Sequence, residues 1–150
     1  MALIDPKNCP YYLISRVSLV ITSALKKGFA DADVKQVSPA YLGVLMSLWK
    51  EDCLKVIELS RRAGLEPSTM TGLLDRMERD SLVTRSPDPK DRRSQLICLT
   101  KEGKSAQTSV IKVIDLVLAH IFNTIPDNEL ENTKNLLRQV LDNSGKGKHS

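Results

Sequence analysis

The middle of this chain sets the tightest limit on its fold. Met70, Leu73, Leu74 and Met77 recur at i, i+3, i+4 and i+7, the spacing of one buried stripe on a helix. Two short runs that read as strands follow, at residues 82–85 and 95–99. Between them lies a charged turn, Asp88-Pro89-Lys90-Asp91-Arg92-Arg93. Pro87, Asp88 and Pro89 stiffen its ascending side, so the tip is pre-shaped and loses less conformational entropy when it docks.

The segments upstream complete a pattern. Val56, Leu59 and Ala63 predict a short helix ending at Gly64, a residue that tolerates the left-handed conformation. Leu65-Glu66-Pro67-Ser68 is then a tight link, with Pro67 suited to the first position of the next helix and Glu66 or Ser68 as its cap. Helix, link, helix and hairpin in this order predict a winged helix-turn-helix over residues 38–100, a mainly α fold with a small β-hairpin wing. Before it, Leu13, Val17, Val20, Ala24 and Leu25, widened by Ile14 and Ile21, predict a helix over 11–29 that stops near Gly28. Residues 30–37 read as a polar connection, and Ser38-Pro39 caps and opens a helix over 40–50.

After Thr100, a capping residue, residues 101–123 read as a helix that is apolar on more than one face from Val110 to Phe122. A surface helix needs one apolar stripe, so this one is expected to be covered both by its own domain and by another subunit. Pro126 opens a last helix carrying Leu130, Leu136, Leu137, Val140 and Leu141. A single domain of 150 residues is expected, with residues 144–150 a disordered tail.

A net charge of +4 permits a polyanionic partner without demanding one. Residues 55–104 hold 11 Lys/Arg against 8 Asp/Glu, whereas the flanks are close to balanced, so the excess sits around the charged turn. No apolar stretch approaches the length of a membrane span and the N-terminus lacks an export pattern, which leads us to expect a cytoplasmic protein without membrane contact. Cys9, Cys53 and Cys98 are odd in number and widely spaced, and only two histidines are present. Neither a disulfide framework nor a metal site is expected, and Cys53 and Cys98 read as small buried hydrophobes.

On the helix after Pro67, the face opposite the apolar stripe begins small and polar, with Ser68, Thr69, Thr71 and Gly72. Such a front lets the backbone sink into a DNA major groove, where hydroxyls reach base edges or phosphates. Arg76 and Arg79, further along, suit phosphate or structural roles. Asp75 would be repelled by phosphates unless it accepts from a cytosine amino group or pairs with Arg79. At the turn, Arg92 and Arg93 suit the negative potential of a narrow minor groove, Lys90 a phosphate, and Asp91 a brace for Arg93. Taken alone, each of these surfaces is better read as an ordinary solvated one; their succession in one chain reverses that.

Together these residues resemble the MarR family of bacterial transcription regulators. The likeness is most specific from Leu59 to Gly103, through Leu65-Glu66-Pro67-Ser68-Thr69-Met70-Thr71, Leu74-Asp75-Arg76-Met77-Glu78, Leu82-Val83-Thr84-Arg85, the turn Asp88 to Ser94, and Leu99-Thr100-Lys101-Glu102-Gly103. The resemblance implies a triangular homodimer joined through its terminal helices, the dimerisation elements at residues 11–29 and 101–143, binding a pseudo-palindromic double-stranded DNA operator, usually as a repressor, and released by a small molecule or an oxidant. It also implies that the helix from Pro67 to Arg79 enters the major groove and Arg93 the minor groove. Two positions depart from the family pattern: Lys90 stands where arginine is usual, and Asp80-Ser81 where a glycine commonly follows the recognition helix.

The resemblance also makes Cys9 a redox candidate, since some relatives sense peroxides through a cysteine near the first helix. Pro10 and the spacing of Tyr11 and Tyr12 favour a plain thiol instead. An effector cleft is expected between the first, second and fifth helices, bordered by residues such as Tyr41, Leu45 and Trp49, although each of them taken singly is better read as packed core. No cofactor is implied. Two other classes remain: a winged helix that binds a protein partner, motivated by Asp75 and the modest charge, and a thiol enzyme on Cys9. The enzyme lacks a nearby histidine or acid–base pair.

Overall fold

The computed structural model describes residues 4–146. In chain order the elements are α1 (Pro10–Asp31), α2 (Leu42–Lys50), β1 (Leu54–Lys55), α3 (Val56–Ala63), α4 (Pro67–Arg79), β2 (Val83–Asp88), β3 (Asp91–Leu99), α5 (Lys101–Ile121) and α6 (Asp127–Lys146). Short 3-10 turns lie at Pro6–Asn8 and Pro39–Tyr41. The chain divides into two compact units, one ending at Val117 and one beginning at Leu118. Among the described residues no helix is long and apolar enough to cross a membrane.

In the first unit, local signals set the helix ends. Ser38 Oγ accepts from the Ala40 N–H at 3.4 Å before α2, and Gly64 ends α3 at φ 67°. Helix α4 opens at Pro67 after Glu66, whose side chain makes no cap bond. Its far end is closed by Ser81 at φ 61°, where the Leu82 N–H reaches back to the Met77 carbonyl at 3.0 Å. Serine thus occupies a left-handed position that glycine would fill without cost, a strain of about 1 kcal/mol. Helix α1 runs past Gly28 to Asp31, contrary to the expected stop. A Cβ at Gly28 would sit 2.7 Å from Val113 Cγ1, so this glycine marks a close crossing of α1 and α5 rather than a helix end.

The sheet has three antiparallel strands in the order β1-β3-β2, one more than the expected hairpin. Strand β1 is two residues long and pairs Leu54 with Ile97 and Lys55 with Leu96. The hairpin is longer than expected: β2 and β3 pair from Val83 with Leu99 out to Asp88 with Asp91, leaving only Pro89 and Lys90 in the turn. A register irregularity falls between Pro87 and Asp88. Pro87 has no N–H to give a ladder, and it sits where that is tolerated, on an edge strand beside the irregularity.

Helices α2, α3 and α4 close over this sheet through Val44, Leu45, Leu48, Leu59, Met70 and Met77, all fully buried with Leu82 and Ile97. Val110 and Val113 bring α5 into the same core. The four residues of the expected α4 stripe are all buried.

The cysteines differ from expectation. Cys53 and Cys98 are joined by a disulfide, with Cys53 exposed and Cys98 half-buried. Pairing of Leu54 with Ile97 sets their neighbours side by side, with Cα atoms 4.1 Å apart. A strand of two residues has no readable alternation, so the sequence carried no signal for that juxtaposition.

On α5, Thr100 Oγ1 accepts from the Gly103 N–H at 2.9 Å, the expected cap. Gly103, Ala106, Val110 and Val113 are buried while Ile111 and Leu116 stay exposed, so the second apolar face is bare in a single chain. In the second unit α6 exposes Leu136, Leu137, Val140 and Leu141. It continues to Lys146, so residues 144–146 are helical instead of belonging to a disordered tail, and the rest of that stretch lies outside the described residues.

Candidate nucleic-acid interface

The outward face of α4 carries Ser68, Thr69, Thr71, Gly72 and Arg76, all exposed. The Thr71 hydroxyl donates to the Pro67 carbonyl at 3.1 Å, which fixes its rotamer and leaves its oxygen free to accept from a partner. A Cβ built on Gly72 meets nothing within 4 Å, so the backbone itself is uncovered there.

On the hairpin, Lys90 occupies the turn while Asp91, Arg92 and Arg93 open β3, placing the two arginines on a strand rather than at the loop tip. Lys90, Arg92 and Arg93 are exposed. Arg92 and Arg93 share an open cleft with Lys55, the last residue of β1. Among the described residues, none of Arg76, Lys90, Arg92 and Arg93 is ion-paired. Most other cations of residues 55–104 are ion-paired, Lys101 excepted; Arg61 and Arg62 both bind Glu58, whose carboxyl they hold down to about 2. The free positive charge of the region therefore concentrates on α4 and the wing.

Asp75 corrects an expectation. Its carboxylate pairs with Arg85 on β2 at 2.7 Å, not with Arg79, which lies 3.7 Å from Asp80. Glu78 stands 3.5 Å from the same Arg85 guanidinium. The hairpin folds back over α4, so a partner from the next element outcompetes the one at i+4. Two acids on α4 are thereby screened, and β2 is fastened to the helix.

Asp91 braces Arg93, though through the main chain. Its Oδ1 accepts from the Arg93 backbone N–H at 3.0 Å and its Oδ2 from the Ser94 hydroxyl at 3.0 Å. These bonds, the main-chain one foremost, hold its carboxyl below the usual 3.8. Because the folded pKa is depressed, the brace is fully present above the unfolded value and is lost as pH falls through the folded one. The Arg93 amide resonance, followed by NMR, should stay constant down to about pH 4 and move only below it; movement near neutrality would show that Asp91 does not hold it.

Three contributors were missed in the sequence. Asp88, buried to 6% exposure, accepts from the Lys90 N–H at 2.9 Å and lies 3.5 Å from Lys55 Nζ, which ties the turn to the β1–α3 junction. Arg85 and Lys55 are the other two. Only the position of Asp88 before Pro89 signalled a turn-capping role.

Of the expected effector residues, Tyr41 and Leu45 are buried and Trp49 is half-buried. The Tyr41 hydroxyl donates to Asp80 Oδ2 at 2.6 Å, and burial, then this bond, raises its pKa. The Trp49 indole N–H donates to the Gly103 carbonyl at 2.9 Å. Cys9 is a half-buried free thiol at the N-cap position of α1, followed by Pro10.

Comparison with known proteins agrees with this geometry. The model of the MarR family matches residues 37–95. The transcriptional repressor MdtR of Bacillus subtilis (strain 168) is 35% identical over 94 residues, covering 63% of this chain and 61% of that protein. The match thus spans less than two thirds of that repressor's length. The transcriptional regulator SarZ of Staphylococcus aureus (strain USA300) is 30% identical over 110 residues, covering 72% of this chain and 73% of that protein. A solved MarR-family transcriptional regulator from Rhodococcus sp. RHA1 superposes with a TM-score of 0.73 at 26% identity, over 86% of this chain and 89% of that one. With its α4, its three-stranded wing and these relatives, the chain belongs to the MarR family.

Proposed function

We propose that this chain is a sequence-specific DNA-binding transcriptional regulator, a homodimeric repressor of a pseudo-palindromic operator that a small molecule releases. One observation carries the reading: the uncovered polar front of α4 lies in the same unit as a wing whose Lys90, Arg92 and Arg93 side chains are exposed and, among the described residues, not ion-paired. Ser68, Thr69, Thr71 and Gly72 then face the major groove, Arg76 and Lys90 take phosphates, and Arg92 and Arg93 work at the minor groove, with Asp91 as brace. The relative MdtR is a repressor by name, which favours repression.

Exposed apolar side chains on α1, α5 and α6, such as Ile14, Val17, Leu116 and Leu141, favour a second copy as their cover. Two-fold symmetry then sets the α4 helices to read half-sites about 34 Å apart. For release, an effector site at Tyr41, Leu45 and Trp49 would have to open from the core, where Tyr41 and Leu45 are buried and Asp80 engages the Tyr41 hydroxyl. A ligand that takes over the Tyr41 hydroxyl frees the residue that ends α4. The protein-partner alternative loses its main motive, because Asp75 is paired with Arg85.

Fluorescence anisotropy with DNA flanking the chain's own gene tests the reading. Binding should weaken steeply with salt, and Arg93→Ala should cost roughly tenfold or more in affinity. Equal affinity in that variant would remove Arg93 from the interface. Absence of any bound fragment would favour a protein partner.

A further inference from the structure

We propose that Cys53 and Cys98 are a reversible thiol–disulfide pair through which a hydroperoxide fastens the wing to the helix-turn-helix. Cys53 lies in the link between α2 and β1, three residues before α3 begins, and Cys98 lies on β3, the strand that carries Arg92 and Arg93. The bond therefore spans the two parts whose relative position decides how α4 and the wing meet a common surface.

The pair is held together by more than the sulfur bridge. Asp52 Oδ1 accepts from the Cys53 N–H at 2.8 Å and from the Leu99 N–H at 2.8 Å, so one carboxylate grips the backbone beside both cysteines. Lys104 Nζ stands 3.9 Å from the same side chain's Oδ2. Cys53 sits at φ 56°, a left-handed conformation that a β-carbon disfavours and that this grip maintains. With the bond open, the thiols accordingly stay within reach of each other. The core does not depend on the bridge, since Leu54, Leu59, Leu82 and Ile97 are buried around the same strands.

Exposure assigns the order of events. The Cys53 sulfur attacks the terminal oxygen of the hydroperoxide; an S–O bond forms, the O–O bond breaks, and an alcohol leaves with the thiol's proton. Cys98 then attacks the sulfenic sulfur; the S–S bond forms, the S–O bond breaks, and water leaves. Two thiols are oxidised by two electrons, and the peroxide is reduced to alcohol and water. A thiol donor reverses the step by exchange.

Once closed, the bridge adds a covalent tie to a β1–β3 contact of two residue pairs and removes freedom the wing would otherwise lose on docking. The oxidised form is therefore the tighter DNA binder, a consequence that rests on the DNA-binding reading above.

The test uses the full chain in a Cys9→Ser background, reduced and then treated with hydrogen peroxide. Thiol titration and peptide mass mapping should show both thiols lost to a Cys53–Cys98 linked peptide that dithiothreitol reopens. Anisotropy with DNA flanking the chain's own gene should show roughly fivefold tighter binding after oxidation, and no such change in Cys53→Ser. Thiols that survive peroxide, a linkage that dithiothreitol leaves closed, or equal affinity in both states would overturn the proposal. A reversible linkage with no DNA bound in either state would support the thiol pair and overturn the DNA-binding reading instead.

Discussion

Gly103→Ala should cost the fold roughly 3 kcal/mol or more, well above the usual effect of a surface substitution. A Cβ at this position falls deep inside van der Waals contact of the Leu82 carbonyl oxygen and 3.1 Å from Leu99 Cδ2. The obstacle is backbone, and it is fixed from several sides. The Leu82 carbonyl accepts from the Thr100 N–H at 3.1 Å, while the Leu82 N–H closes α4 on Met77. To make room, the start of α5 must lift off the base of the hairpin. That movement strains the Thr100 cap, the Thr100–Leu82 bond and the bond from the Trp49 indole to the Gly103 carbonyl. Each buried group left unpaired adds about 1–3 kcal/mol. Thermal unfolding should show a drop of roughly 6–12 °C. A variant that melts within a degree or two of the parent would mean that α5 and the hairpin do not approach so closely.

The same glycine shows where sequence reasoning stops. Within a helix, glycine reads as a weakness or an end, because propensity counts only the local backbone. Gly103 and Gly28 are needed for what crosses them, Leu82 in one case and Val113 in the other, and neither neighbour is near in sequence. The features that were legible are those written in local periodicity or turn chemistry. The stripe of Met70, Leu73, Leu74 and Met77, the caps at Ser38 and Thr100, the Gly64 terminus and the exposed basic residues after Pro89 all belong to this kind.

Partners set by tertiary pairing were not legible. Asp75 has an arginine at i+4, yet Arg85 takes it because β2 returns across α4. Cys98 lies 45 residues from Cys53 and meets it only through β1. Asp91 pointed to Arg93 by adjacency, but the extended start of β3 presents the Arg93 N–H rather than its guanidinium.

Gly72→Leu should abolish detectable operator binding, a loss of at least about 100-fold, while leaving the fold at parental stability or slightly above it. The two effects separate because Gly72 has no neighbour. A Cβ there meets nothing within 4 Å, and removing a glycine from the middle of α4 gains roughly 0.5–1 kcal/mol in helix propensity. The gain offsets the cost of exposing an isobutyl group. A DNA partner reverses the sign. A helix with its side chains is about 10–12 Å across and the major groove about 12 Å wide, so a bare Cα in the leading face sets how deep the backbone sits. On the proposed docking, a leucine would push the helix outward and lift Ser68, Thr69 and Thr71 from the base edges together. Gly72→Ala, with one methyl, should give an intermediate loss at unchanged stability, so the pair forms a graded series in size. Circular dichroism and thermal unfolding report the fold, and anisotropy reports the binding. If Gly72→Leu melts normally and still binds with parental affinity, α4 is not the element in the groove, and the DNA contact would have to rest on the wing alone.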